Sequence, residues 1–311
     1  MKKSTNFLPK IVLFKRFRMI QVLSPSDFKD YELIDSGNGE KLERFGKYTL
    51  ARPEPQALWA PALDAKQWQK IADARFKQDG SASGDWIRNN PDMPDQWIVT
   101  YRGGGMKIKF RLGLTRFKHV GIFPEQAVNW DFIFKQSAAL KNPKVLNLFA
   151  YTGGASLAAK AGGADVIHCD SIKQVVNWAS TNMELSKLDG IRWLVEDAFK
   201  FVLREAKRGK KYQGIIMDPP SWGHGPKGEK WKLEDQINDL MAAVSKILEP
   251  QQSFFVMNAY SLGYSPLILE NLGKSHFEPS QLANLQIGEL CLPERSGRRL
   301  PAGVFMRFGG K

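Results

Sequence analysis

The sequence is poor in the residues that build disulfide frameworks and metal centres: its 311 residues include two cysteines and four histidines. Cys169 and Cys291 cannot staple a fold or form a metal cluster, which points to a reducing, cytoplasmic setting and to chemistry without a metal. No apolar run approaches the roughly 18 residues that a membrane-spanning helix requires. Acidic residues are missing from positions 1 to 26, where Lys2, Lys3, Lys10, Lys15, Arg16 and Arg18 stand. A secretory signal would need a longer apolar core and a small-residue cleavage site. Residues 1–20 are therefore read as a flexible basic tail, with Met19 an equally good start. No Ser-His-Asp set is apparent, and the histidines lack ligand spacing.

What is present has an ordinary balance, 25% charged and 43% hydrophobic, so a globular core in one large or two unequal domains is expected. The charge is less ordinary. A formal +13 favours a polyanionic partner such as RNA, although a protein that is simply basic would show the same number.

The most organised stretch is residues 144–170. An apolar run (Val145, Leu146, Leu148, Phe149) ends in a turn with Gly153 and Gly154, a small-residue helix follows, and a second apolar run ends in Asp170. That is a βαβ unit, which places the turn and the acid on the same carboxyl edge of a parallel sheet. Asp170 stands about 20 residues past the turn, the spacing of a carboxylate that takes a ribose hydroxyl. The turn reads Tyr151-Thr152-Gly153-Gly154-Ala155-Ser156, not G-x-G-x-x-G, so a nucleoside without a pyrophosphate fits better than a dinucleotide. S-adenosylmethionine is such a ligand. Glycines that only allow close helix packing are the alternative.

Residues 21–121 read as a small α+β domain. A helix is expected over residues 65–77, and a hairpin alternates through Trp97, Val99 and Tyr101, turns at Gly103-Gly104-Gly105, and returns through Met106, Ile108, Phe110 and Leu112. Lys107, Lys109 and Arg111 share the other face, which could hold nucleic-acid backbone or simply be solvated. From residue 122 to 311 strands and helices alternate. A helix with Ala127, Trp130, Phe134 and Ala138 comes first, and later strands end at Glu196-Asp197, Asp218 and Asn258. Repeated polar endings of this kind suggest one ligand edge, though any single residue could merely cap a helix. Asp170 is expected to hold the ribose hydroxyls, and Asp197 with the Ala198 N–H to hold adenine.

Asp218-Pro219-Pro220-Ser221-Trp222 is the most specific signal. Two prolines fix φ and remove two donors, so the carbonyls and Asp218 are available to a base amine or ring nitrogen. Trp222 could stack on an extruded base; a rigid loop with a buried tryptophan is the alternative. The stretch 223–228 reads as a mobile flap. Methyl transfer from a sulfonium needs mainly alignment, which contributes about 7 to 11 kcal/mol in favourable cases. After strand six, Arg295, Arg298 and Arg299 stand in a loop on the active edge, where they could grip RNA phosphates or lie in solvent.

The set FPEQ (residues 123–126), NLFAYTGGAS (147–156), Asp170, EDAF (196–199) and DPPSW (218–222) resembles class I S-adenosylmethionine-dependent methyltransferases of bacterial 23S ribosomal RNA. That group includes enzymes making 5-methylcytosine and 7-methylguanine. The resemblance covers residues 30–311 and is strongest over 120–260. It implies a Rossmann-like α/β sheet of seven strands with an antiparallel last hairpin. It also implies a cofactor site of Phe149, Tyr151, Thr152, Gly153, Asp170, Ser171, Asp197, Ala198 and Asp218, with Gln126 close by. Two departures stand out. No room is evident for the N-terminal RNA-binding PUA domain common in the group. The attacking cysteine of cytosine-5 enzymes is missing after strands four and five, so a nitrogen target is expected. A protein or small-molecule substrate, and a non-catalytic RNA-binding protein, are the competing readings.

Overall fold

A computed structural model describes residues 19–80, 83–260 and 263–310. The basic tail expected over 1–20 lies outside them apart from Met19 and Ile20, as do Ser81, Ala82 and Ser261.

In chain order, β1 (Gln21–Leu23) is followed by β2 (Tyr31–Gly37), β3 (Glu40–Phe45), β4 (Tyr48–Pro53), α1 (Ala65–Ile71), β5 (Ala74–Gln78) and β6 (Gly84–Arg88). A hairpin of β7 (Gln96–Gly103) and β8 (Met106–Gly113) completes the N-terminal part. Then come α2 (Ala127–Ala138), β9 (Lys144–Leu148), α3 (Gly154–Ala161), β10 (Asp165–Asp170), α4 (Lys173–Leu185), β11 (Ile191–Val195), α5 (Ala198–Lys207) and β12 (Gly214–Met217). A short hairpin, β13 (Trp222–His224) and β14 (Lys230–Lys232), precedes α6 (Leu233–Ile247), β15 (Phe254–Ala259), α7 (Pro266–His276), β16 (Gln286–Pro293) and β17 (Arg299–Gly309).

The large sheet has the order β1-β16-β17-β15-β12-β9-β10-β11. Strands β15, β12, β9, β10 and β11 are parallel, and β17 runs against both β15 and β16. Both faces are covered, so alternate residues of each strand enter different cores. Val145, Val166, Ile216 and Val256 point to the core shared with α3 and the N-terminal part; Leu146, Ile167, Ile215 and Phe255 point to the core under α5, α6 and α7. The first core is continuous through Phe28, Phe45, Trp97, Phe110 and Trp130. The smaller sheet and the hairpin are thus packed on the large sheet by one apolar interior. Gln21–Leu23 belongs to the large sheet outright, pairing in parallel with β16 as an eighth strand.

The small residues of α3 have a packing reason. A Cβ on Gly154 would stand 2.8 Å from the Trp130 ring, and one on Gly162 would stand 2.7 Å from the Phe134 carbonyl oxygen of α2. Bulk here would drive the two helices apart, at about 1–3 kcal/mol per overpacked side chain.

Two elements differ from expectation. The helix expected over 65–77 stops at Ile71, where Ala72 is already extended. Beyond it buried Ala74 and Phe76 alternate with exposed Arg75 and Lys77, a period of two, and pairing with β4 and β6 makes a strand. The flap expected over 223–228 is the tip of the β13–β14 hairpin, where Lys200 holds Glu229 at 2.7 Å. No helix among the described residues is long and apolar enough to cross a membrane.

Candidate active site

The strand order reverses between β9 and β12, and open α/β sheets take ligands in the crevice that such a reversal leaves at the carboxyl edge. A cavity of about 660 Å³ opens there, a size suited to a small organic ligand. Phe149, Tyr151, Asp170, Ser171, Asp197, Ala198, Asp218, Pro219, Pro220 and Trp222 all line it. Gln126, Thr152 and Gly153 line an adjoining pocket of about 60 Å³ that shares Phe149, Tyr151 and Asp218 with the first.

The turn after β9 is built on unusual backbone. Phe149 (φ 54°), Tyr151 (φ 50°) and Gly153 (φ 92°) are all left-handed. Such a conformation is easy for glycine and costs an aromatic residue about 1–3 kcal/mol, so the surroundings must enforce it. One enforcing contact runs to the next strand: Tyr151 N–H donates to Asp170 Oδ2 at 2.9 Å, while Ile172 N–H donates to Oδ1 at 3.0 Å. Each oxygen keeps acceptor capacity toward the cavity. Burial pushes the Asp170 carboxyl up, and the N–H groups of Ile172, Tyr151 and Ser171 pull the other way.

Asp197 caps α5 by accepting from Lys200 N–H at 2.8 Å, which leaves the N–H groups of Ala198 and Phe199 unused by the helix. Its neighbour Glu196 turns away to a two-pronged pair with Arg204. Asp218 is the third acid. It is part-exposed as a residue, but its Oδ1 is closed off from water and has no hydrogen-bond partner. Burial, then the charge of Glu125, push it up to about 8. Trp231 Nε1 donates to the Pro220 carbonyl at 2.6 Å and fixes the proline turn from below. Trp231 is the buried tryptophan of this region; Trp222 is 63% exposed on the rim, its ring edge-on to His224.

The six expected substrate-binding bases are not brought to this cavity. The edge of β8 is covered by α4 instead. Lys109 N–H donates to Ser186 Oγ and Arg111 N–H to Asn182 Oδ1, while the Arg111 guanidinium stacks over Trp178. Lys107 stays in solvent on the hairpin. The arginine loop is a clasp to the smaller sheet: Arg295 pairs with Glu32, and Arg298 with Asp35 and Glu294. Arg299 is exposed and lines no wall of the cavity. Glu32 and Asp35 come from a distant stretch of chain, a pairing no local pattern contains, whereas Glu294 is a near neighbour in sequence. The cations on the cavity wall are Lys41, Arg52 and Lys118, from β3, β4 and the segment after β8. Phe123 and Glu125 line the same wall, and Tyr260, distant in sequence, brings its ring to 5.6 Å from that of Phe123.

The sequence matches the family model described as S-adenosylmethionine-dependent methyltransferase over residues 40–272. The chain belongs to that family. A solved S-adenosylmethionine-dependent methyltransferase from Agrobacterium tumefaciens is 38% identical to this methyltransferase, with a TM-score of 0.87 over 94% of this chain and 95% of the other. Among curated relatives, the ribosomal RNA large subunit methyltransferase K/L of Shewanella frigidimarina is 30% identical over 154 residues, 48% of this chain and 21% of its own. The ribosomal RNA large subunit methyltransferase I of Escherichia coli is 37% identical over 86 residues, 27% of this chain and 22% of its own. This methyltransferase thus matches about a fifth of the length of those relatives.

Proposed function

We propose that this methyltransferase modifies a nitrogen of an RNA base, in ribosomal RNA, at the crevice between β9 and β12. The observation that carries the reading is Asp218: a part-exposed acid that lines the cavity, in a turn whose prolines offer no competing N–H. It is a place prepared for a hydrogen-bonding group from outside the chain. An exposed aromatic face beside it, Trp222, suits a base taken out of its stack. The +13 charge and the names of the curated relatives support RNA as the bearer of that base.

S-adenosylmethionine, when bound, supplies a methyl group made electrophilic by its sulfonium. The chain's residues fit its nucleoside. Asp170 presents two acceptor oxygens to a ribose diol, and the free N–H groups at the start of α5, with the Asp197 carboxylate, present an acceptor and donors to adenine. Phe149 and Tyr151 close the sides, and no phosphate cradle intrudes. Gln126 is held toward the smaller pocket by hydrogen bonds with Tyr260, Asn129 and Asn258. Alignment of the base by Asp218, the proline carbonyls and Trp222 then removes most of the entropic barrier to transfer. Carbon-5 chemistry lacks its nucleophile, because Cys169 and Cys291 are buried in strands and neither lines the cavity.

The test is a comparison of modified nucleosides in total RNA from cells with and without this chain, followed by in vitro methylation of the unmodified RNA. One methylated base lost in the knockout and restored in vitro is the expected result. Unchanged RNA in both arms overturns the reading in favour of a protein or small-molecule substrate.

A further inference from the structure

Arg307 of β17 is 8% exposed, yet among the described residues no carboxylate pairs with it. Its Nε donates to Gln286 Oε1 at 2.7 Å, and its Nη1 donates to the Val128 carbonyl at 3.1 Å and to Asn129 Oδ1 at 3.0 Å. The rings of Phe132 and Phe305 lie against the guanidinium. Burial pushes Arg307 down to about 10, with the charge of Asp131 opposing. As a brace between α2, β16 and β17 a cation is a poor choice, because burying it costs solvation that an apolar side chain would not lose.

What the cation does fix is direction. A guanidinium only donates, so Asn129 must turn its oxygen to Arg307 and its NH2 group the other way. There Asn129 Nδ2 donates to Gln126 Oε1 and to Asn258 Oδ1, both at 3.0 Å. Asn258 Nδ2 donates to Gln126 Oε1 at 3.2 Å, and Gln126 Nε2 donates to the Tyr260 hydroxyl. All three amides are buried, and each bond leaves a single sense for the next. Gln126 Oε1 thus has both acceptor sites taken, while Gln126 and Asn258 each keep a second N–H. Both residues line the smaller pocket, beside Gly153 and Phe149.

We propose that Arg307 is a positioning residue for the cofactor. It sets the sense of the Asn129–Gln126–Asn258 chain, so that the smaller pocket offers N–H groups to a carboxylate, the one at the amino-acid end of S-adenosylmethionine. This rests on the cofactor placement proposed above and is independent of RNA. Arg307 itself lines neither pocket.

The probes are S-adenosylmethionine and its decarboxylated form, which keeps the nucleoside, the sulfonium and the amine. Calorimetry on the full chain gives the ratio of their affinities. Wild type is expected to favour the carboxylate form about 10-fold or more, the size of one hydrogen bond to a charged group. Arg307→Met is expected to remove most of that preference with the decarboxylated form bound as before, and Arg307→Lys to restore it, since lysine too only donates. Asn129→Asp keeps a partner for Arg307 but presents an oxygen to Gln126 and Asn258, which must then turn their own NH2 groups to it and their oxygens to the pocket. It is expected to lose the preference while urea stability holds, whereas a bracing role for Arg307 predicts no loss. If Arg307→Met does not fold, Asn129→Asp decides alone. Retained preference in Asn129→Asp, an equal loss of both ligands in Arg307→Met, or equal binding of both by wild type overturns the proposal. The nucleoside placement has a separate readout, because Asp170→Asn is expected to weaken both ligands alike and its failure shows there, not in the ratio.

Discussion

Tyr151 and Asp170 are joined by a 2.9 Å hydrogen bond in which a left-handed backbone N–H meets a carboxylate on the neighbouring strand. The bond ties the strained turn after β9 to the acid that ends β10, so two halves of one ligand site hold each other in place. The carboxylate serves the protein's backbone on one side and the cavity on the other.

Asp170→Asn is accordingly expected to harm the site twice over. An amide has one acceptor oxygen, so Tyr151 or Ile172 would face an NH2 group. An unsatisfied buried donor costs about 1–3 kcal/mol. Affinity for S-adenosylhomocysteine, measured by calorimetry, should weaken about 5- to 150-fold.

Gly153 is the left-handed glycine of the same turn. Its φ is +92°, and a Cβ would stand 3.1 Å from the Ala179 Cβ of α4. Gly153→Ala should cost about 1–3 kcal/mol in urea denaturation, with a loss of cofactor affinity as α3 shifts. Gly163→Ala, also left-handed but open to space, should cost stability and leave cofactor affinity unchanged.

Beneath the cavity wall, Arg52 and Glu43 form a buried pair at 2.6 Å, and Tyr31 donates to the same carboxylate at 2.8 Å. Glu43→Gln leaves the guanidinium without a counter-charge and should destabilise the fold by about 3–5 kcal/mol. The pH dependence has a definite sign. Arg52 and Lys41 hold the Glu43 carboxyl below its ordinary value despite burial, so its contribution is present at neutral pH and is lost as pH falls through the folded-state value. Acid unfolding should therefore lose one proton-uptake step in Glu43→Gln.

Trp222 separates function from stability. Because the ring is 63% exposed, Trp222→Ala should leave urea stability within about 0.5 kcal/mol. RNA methylation should fall about 5- to 150-fold, the size of one lost base-stacking contact. Equal activity would remove the base-clamping role.

Much of this molecule was legible along the chain. The 3.6- and 2-residue periods marked α2 to α6 and the β7–β8 hairpin, because each periodicity reports a face buried against something. The acids at 170, 197 and 218 were found as strand endings, since a parallel sheet places every such ending on one edge. Local pattern failed where a residue's neighbour comes from far away. The helical spacing over 65–77 takes in Ala74 and Phe76, whose period of two is set by pairing with β4 and β6.

What the sequence by itself determined was the alternation of strands and helices and the carboxyl-edge residues, properties carried by the order of residue types. Tertiary structure alone decided which charges remain free. Arg295 and Arg298 look available in the sequence, but Glu32 and Asp35, each 263 residues away along the chain, neutralise them. Electrostatic energy depends on distance and on exclusion of water, and neither exists until the chain has folded.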